Sequence, residues 1–412
     1  MTLPTIYATI NFSSGPAFAQ TAIIGSAIYG TNVFGDSAGV IVDVSNQVNY
    51  IKTVRGRSSL TDQFQTGGLT MRIVDQNGNF NPSNESGPYY SLLTPMKKVQ
   101  ITAVYNGISY YLFSGFITSY VNTQPKDAQE VAYTTITAVD ALRLANLAQI
   151  TTVTGANSGD LSGTRINQIL DEIDWPNTMR DVDAGSTYLQ NDPGTLRTSQ
   201  AAMQTVSDSE YGAIYVSASG SFVFKDRAVT ASSIAATPTV FKDDGTGIAY
   251  ANAAWVLNDS LIFNSASITT SGGTTQTATN AASIAKYFLH SYNLQDLLML
   301  TDAEALDYAR AYVASRQETT IRCDSLELDL NTPNYNSGIV AAMELDFFDP
   351  ITVSTTQPGG SVITKTLQIF GVSYLISPNV FKTVFSTLEP IIDSFIIGNA
   401  EYGVIGQNVL SY

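Results

Sequence analysis

The chain has 412 residues with 20 Lys and Arg against 35 Asp and Glu, a net charge of −15, so it is not built to grip phosphates, since nucleic-acid affinity rests on neutralising them with Lys and Arg. Apolar residues make up 44%, enough for real cores in two or three domains, whereas charged residues make up only 13%, against a usual share of roughly 25%. So few charges suit an exterior packed against other subunits, and they also suit a Thr-rich monomeric β-protein. One cysteine, Cys323, excludes an internal disulfide and leaves assembly in a cytosol open. Met1 to Thr5 lacks the basic and apolar regions of a signal peptide, and the apolar runs break well before the about 18 residues a membrane span needs.

Residues 1–39 are read as an N-terminal arm or extra strands. From Ile6 to about Leu147 strands dominate: Tyr7 to Phe12, Val40 to Val54, Leu69 to Val74, Val99 to Tyr105, Tyr110 to Thr118 and Val131 to Val139. Val99, Ile101, Ala103 and Tyr105 alternate with Gln100, Thr102 and Val104, the period of a half-buried strand. Asn106-Gly107 predicts a tight hairpin, and Asp140 a cap for a short helix over Ala141 to Leu147. Residues 40–150 therefore form a first β-barrel.

Residues 151–235 change to a small α+β unit. Ile166, Ile169, Leu170 and Ile173 recur at helical spacing until Pro176 stops the helix. A second helix, about Thr198 to Tyr211, ends at Gly212 and leads into a hairpin of Ala213 to Val216 with Phe222 to Lys225. Residues 236–388 are read as a second barrel opening with Leu261 to Thr269 and a Ser271-Gly272-Gly273 turn. A helix capped by Thr301 and Glu304 interrupts it, with Leu306, Ala309, Tyr312 and Val313 as its apolar stripe. Strands Ile321 to Leu330, Ile351 to Thr355, Thr364 to Val372 and Phe381 to Leu388 complete it. Residues 389–412, apolar and turn-rich, read as a docking tail or as an edge strand. The fold class is mainly β with an α+β insert: two tube-like β-barrel domains flanking a small α+β domain.

Chemistry is sparse along this chain. His290 is the only histidine, so any Ser-His-Asp or multi-His metal site would centre on it; its neighbours Tyr287, Phe288, Leu289 and Tyr292 mark a core or interface residue. Cys323 lies in an alternating strand as a small buried hydrophobe. Asp181-Val182-Asp183-Ala184-Gly185 and Asp243-Asp244-Gly245 lack the downstream acid of a calcium loop and read as turns. Gly272-Gly273 has no nearby Lys and cradles no phosphate. Asp171 with Glu172, and Asp346 with Asp349, are carboxylate pairs that sequence does not place across a cleft. No catalytic residue, cofactor or metal is expected, and the chain is read as not an enzyme.

One run carries more: Arg55-Gly56-Arg57-Ser58-Ser59, a short strand, and Asp75-Gln76-Asn77-Gly78-Asn79-Phe80-Asn81-Pro82. It resembles the opening of minor tail proteins of long-tailed bacteriophages, where an RGRSS motif and a DNxDGxFDP-like turn precede a barrel of the tail tip. Leu112 to Ile117 and Ile136 to Ala141 are similar to that barrel's strand and exit. Ile166 to Pro176, Arg180 to Gly185, and Glu210-Tyr211-Gly212 to Phe224-Lys225-Asp226-Arg227 resemble the helix, turn and hairpin that follow. Asn280 to Tyr287, Asp302 to Ala305 and Tyr402-Gly403-Val404 continue the match, which covers about residues 40 to 410 through weak motifs in the right order. Gln76, Asn79 and Asn81 depart from the usual charged residues of the turn, and Tyr211 replaces a Gly; Asn supports the same turn conformations.

The resemblance implies a hub of the baseplate type, in which two tube-like barrels per chain let a trimer mimic a sixfold ring and join a hexameric tube to a threefold tip. It implies a structural protein of the virion tail, assembled in the host cytoplasm. Its partners would be further copies of itself, trimer favoured and hexamer possible, with distal tail or tail tube proteins and tail fibre or central tip proteins. Genomic DNA would pass through the lumen without specific binding. Arg55, Arg57, Phe64, Phe80, Tyr89, Tyr90 and Tyr402 are the candidate subunit-interface residues. A sixfold distal tail ring, a carbohydrate-binding tail component with an exposed tyrosine groove, and a tail-associated peptidoglycan hydrolase remain alternatives.

Overall fold

The computed structural model describes residues 3–13, 20–21, 32–33, 40–57, 63–123, 131–233, 236–331 and 336–389. Most of the docking tail and of the N-terminal arm expected from sequence lies outside these residues.

Strands β1 (Thr5–Asn11), β2 (Ile41–Asp43), β3 (Val48–Gly56), β4 (Gln65–Val74), β5 (Lys98–Tyr105), β6 (Ile108–Thr123) and β7 (Tyr133–Val139) build the first half. They pair in the order β2-β1-β5-β6-β7-β4-β3, every pair antiparallel. Their alternating residues bury one face, Leu69, Met71 and Ile73 on β4 beside Ile136 and Ala138 on β7, as the period-2 pattern requires. Asn106 and Gly107 take φ of 50° and 80°, the left-handed pair that matches strand twist in a two-residue hairpin. The single strand expected from Val40 to Val54 is broken by one helical turn, Ser45–Gln47. Asp43 accepts a hydrogen bond from the Ser45 N–H at 2.9 Å, and the Ser45 hydroxyl accepts from Ala8 N at 2.9 Å, so side chains replace ladder bonds there.

The middle unit holds α1 (Leu142–Leu147), α2 (Ser162–Glu172), β8 (Arg180–Val182), α3 (Ser199–Glu210), β9 (Ala213–Val216) and β10 (Phe222–Lys225). β8, in a stretch whose sequence reads as a turn, runs parallel to β10. α3 begins on Thr198, whose hydroxyl accepts from Ala201 N at 3.1 Å, and ends on Tyr211 at φ 59°. Tyr211 thus takes the left-handed cap position that Gly usually fills. Ile166, Ile169, Leu170, Trp175, Met203, Phe222 and Phe224 form its core.

Further along lie β11 (Thr239–Lys242), β12 (Asn252–Val256), β13 (Ser265–Thr270), β14 (Gln276–Thr279), α4 (Ala281–Tyr287), β15 (Ser291–Leu297), α5 (Asp302–Arg316), β16 (Arg322–Asp329), α6 (Asn336–Glu344), β17 (Pro350–Thr356), β18 (Val362–Ser377) and β19 (Val380–Leu388). β12-β16-β19-β18 pair in that order, with β17 and then β11 on the other branch of β18. β18 also pairs antiparallel with β3, which fuses both halves into one 13-stranded sheet. β13, expected as the opening strand of the second barrel, instead lies between β14 and β15 in a separate three-stranded sheet under α5. The small buried residues Ala266, Ala305 and Ala309 let helix and sheet approach. Thr301 and Glu304 form the expected capping box, with Glu304 N on the Thr301 hydroxyl at 3.3 Å and Thr301 N on the Glu304 carboxylate at 2.9 Å. The protein is mainly β, with a large antiparallel sheet and few helices.

Candidate functional site: an arginine–aromatic junction

The two halves meet where Arg55 pairs with Val372 and Gly56 with Gly371. Gly56 has φ +96°, and a Cβ there would collide with the Phe370 carbonyl and stand 2.7 Å from Gly371 Cα, so only glycine lets the strands approach. Arg57 N then donates to the Phe370 carbonyl at 2.8 Å. Both ladders are irregular here, between Val54 and Gly56 and between Ile369 and Gly371. The bulges turn the flanking side chains toward the junction.

Two guanidinium groups close it. Arg55, 4% exposed, bonds Asp346 at 2.9 Å and lies 5.0 Å from the Phe347 ring centroid. Arg57 lies 4.4 Å from the Phe370 ring and 5.0 Å from the Phe64 ring. Phe64 in turn packs on Tyr215, Phe347 and Phe348 at 5.3, 5.2 and 5.8 Å. Tyr215 belongs to the middle unit, so the first half, the insert and the second half share one cluster. A guanidinium over a ring keeps its charge while giving up water, and Asp346 supplies the counter-charge.

Asp140 stands beside this junction. Its carboxylate accepts from Gly67 N at 2.6 Å and Leu142 N at 2.9 Å, fixing the exit of β7 into α1. Burial pushes its pKa up to about 7, against the two N–H bonds and the Arg55 charge, which pull it down.

The candidate interface residues separate. Arg55, Arg57 and Phe64 come together inside the chain, with Arg55 and Phe64 buried and Arg57 half-buried. Phe80, 1% exposed, and Tyr89 sit elsewhere, in a stack with Phe12 at 5.2 Å ring separations. Asp75 organises that loop by accepting from Asn79 N at 2.7 Å and Phe80 N at 3.0 Å. Tyr90 is exposed at 43%, and Tyr402 lies outside the described residues. Sequence reasoning does not single out Phe347, Phe348, Phe370 or Tyr215, and it weighs Asp346 only as half of a carboxylate pair with Asp349, not as the partner of Arg55. The Phe347-Phe348 doublet after an apolar helix was the available signal, but nothing in it pointed to Arg55, 291 positions from Asp346.

The residues weighed for chemistry are occupied structurally. Asp349 accepts from Asp346 N at 2.9 Å, Asp171 pairs with Arg180 at 2.7 Å, and Glu172 accepts from Thr154 N at 2.6 Å. Asp181 and Asp183 share Lys225 at 3.1 and 3.4 Å. His290 is half-buried, and its Nε2 meets the Tyr287 carbonyl at 3.1 Å. Cys323 is fully buried, and burial pushes its thiol up to about 11, far from a reactive thiolate. Among the described residues no three metal-ligating side chains gather, and no helix is long and apolar enough to cross a membrane. A second cation–aromatic cluster sets Arg316 3.8 Å from the Tyr312 ring, with its Nη2 donating to the Tyr211 hydroxyl at 2.8 Å. Tyr292 stacks on Tyr312 at 3.8 Å and Tyr308 meets Tyr211 at 4.9 Å, so these tyrosines turn on one another and not into an open groove.

No family model and no curated protein matches the sequence. Solved structures match the fold. A 43 kDa tail protein of prophage MuSo2 from Shewanella oneidensis aligns with 94% of this chain and 99% of its own at a TM-score of 0.54 and 11% identity. A tail protein from Neisseria meningitidis aligns with 94% of this chain and 97% of its own, again at 0.54, with 9% identity. Over nearly its whole length, therefore, this chain has the fold of prophage tail proteins.

Proposed function

We propose that the protein is a structural component of a phage tail, a hub at the tail tip whose copies form a ring joining the tail tube to the tip and lining the channel for DNA ejection. The carrying observation is the β3–β18 pairing, which makes one sheet of both halves and locks it with the Arg55–Asp346 and Arg57–Phe370 contacts. A ring that holds a channel open needs protomers whose halves keep a fixed angle, and a shared sheet with a buried clamp supplies that stiffness. The full-length fold likeness to tail proteins supports the same reading.

On this reading residues 40–150 and 236–388 act as the two tube-like units, each contributing one position to a pseudo-sixfold ring in a trimer. Residues 151–235 form the insert, and residues 1–39 and 389–412 reach neighbouring subunits. Tyr90, exposed beside the Phe12–Tyr89–Phe80 stack, is a candidate subunit contact, with Tyr402 as a tail contact. Arg55, Arg57 and Phe64 act on the ring indirectly, through the angle between the halves. Distal tail, tail tube and tip proteins are the partners, the virion tail is the location, and the role involves no catalysis. Native mass spectrometry of the purified chain tests it: a trimer is expected, six copies move the chain to a distal ring, and a monomer that stays monomeric with purified tail proteins overturns the hub.

A further inference from the structure

Phe288 stands at φ 67° and ψ 178°, a backbone region left almost entirely to glycine, and the residue is 80% exposed. The fold holds it there from beneath. Asn264, fully buried, donates through Nδ2 to the Phe288 carbonyl at 2.7 Å and accepts from His290 N at 2.8 Å, while Phe288 N donates to the Ile284 carbonyl at 2.9 Å. An outlier of this kind persists only where its surroundings fix it, and here the fixed group is a large apolar side chain set in water, the mark of a contact surface. Tyr287 and Lys286 reach Glu318 at 2.8 and 2.7 Å, which ties the end of α4 to the connection 318–321 between α5 and β16. Thr319 in that connection donates to the Asn258 carbonyl at 2.9 Å, and Ile321 faces Leu257 one step beyond the Val256–Arg322 pair of β12 and β16. Leu257, Leu289 and Ile321 are exposed, so with Phe288 they border one connection as an apolar strip.

The chain itself leaves beside this strip. Glu389, the last described residue, accepts from the Thr320 hydroxyl at 2.6 Å and from Lys365 Nζ at 2.6 Å, so β19 carries the chain out next to Ile321. Residues 390–397 then bring Ile391, Ile392, Phe395, Ile396 and Ile397 with a single charge, Asp393, before Gly398. Eight extended residues reach up to about 27 Å, against the roughly 10 Å spanned by the three residues from Ile321 back to Glu318. A segment tethered this closely meets the strip at an effective concentration in the millimolar range, far above that of a separate subunit.

We propose that residues 390–397 fold back over this strip of their own chain, with Phe288 and Leu289 as the anchor, leaving residues 398–412, Tyr402 among them, to reach a neighbour. The docking is a property of the single chain and holds whether or not copies close into a ring. Hydrogen exchange on the full-length chain tests it. Phe288→Gly with Leu289→Ser removes the anchor, and glycine suits the backbone at 288, so the loop keeps its conformation. Amides of residues 391–397 are expected to exchange about tenfold faster in this variant. Phe395→Ser with Ile396→Ser is expected to speed exchange at residues 286–290 and 318–321 in return, with β3 and β18 at the parent rate in both. Tail amides that are unprotected in the parent chain, or protected equally in the anchor variant, overturn the proposal. Cross-linking Ala285→Cys on α4 to Ser394→Cys with a short bismaleimide reads the position, since Cys323 is buried and does not compete. A link inside one copy is expected; links found only between copies, or none, overturn docking on the chain's own strip.

Discussion

The clusters around Arg55 and Arg316 both set a buried guanidinium against aromatic rings, yet they join very different lengths of chain. Arg55 reaches Asp346, 291 positions away, and the rings about it are phenylalanines plus Tyr215 from a third unit. Arg316 packs with Tyr211, Tyr292, Tyr308 and Tyr312, within about a hundred residues, and a tyrosine hydroxyl accepts its hydrogen bond in place of a carboxylate. The first arrangement concentrates the link between distant units in a few contacts; the second ties the end of α3, at Tyr211, to α5 and its small sheet through many overlapping rings. Damage at the first should therefore uncouple the halves of the molecule, and damage at the second should stay local.

The strongest way to break that contrast is Gly56→Ala. The positive φ and the collision with the Phe370 carbonyl together are expected to cost about 3 kcal/mol or more, measured as a fall in the denaturant midpoint. Arg55→Ala is expected to cost about 2 to 3 kcal/mol, less than a fully buried pair because Asp346 is 35% exposed. Arg55→Lys should recover less than half of this, since an ammonium does not meet ring and carboxylate together. In both variants amide exchange should accelerate on β3 and β18 at once. Arg316→Leu is expected to cost about 1 to 2 kcal/mol, with faster exchange confined to residues 263–316 and the end of α3 at Tyr211; acceleration across β3 and β18 would erase the distinction.

Asp140 sharpens the comparison through pH. Its folded pKa of about 7 lies above the ordinary 3.8, so the folded state binds the extra proton in between. Its contribution to stability is full below about 4 and is lost as pH rises through about 7. The thermal midpoint of the parent chain should therefore carry a falling component over that window, and Asp140→Asn should flatten it. An unchanged slope would mean that Asp140 titrates normally and does not load the junction.

Much of the architecture was legible in the sequence because alternation survives wherever one sheet face is buried. The strands of the first half, the Asn106-Gly107 hairpin, the insert's hairpin and the Thr301 capping box follow from local chemistry. Local chemistry did not reveal that β3 pairs with β18, since strand partners separated by hundreds of residues leave no periodic trace. For the same reason β13 reads in the sequence as the opening strand of a second barrel, and β8, three residues long, reads as a turn. The Arg55-Gly56-Arg57 motif was found, but Arg and Phe favour buried contacts within a chain as readily as between chains. The register placing Gly371 against Gly56 brings these side chains together within the chain.

Cryo-electron microscopy of the tail tip in intact particles measures the symmetry and position of this chain directly. Three copies around one channel are expected, each with the fused β3–β18 sheet spanning two adjacent positions of a pseudo-sixfold ring. A peripheral position without ring symmetry would contradict it.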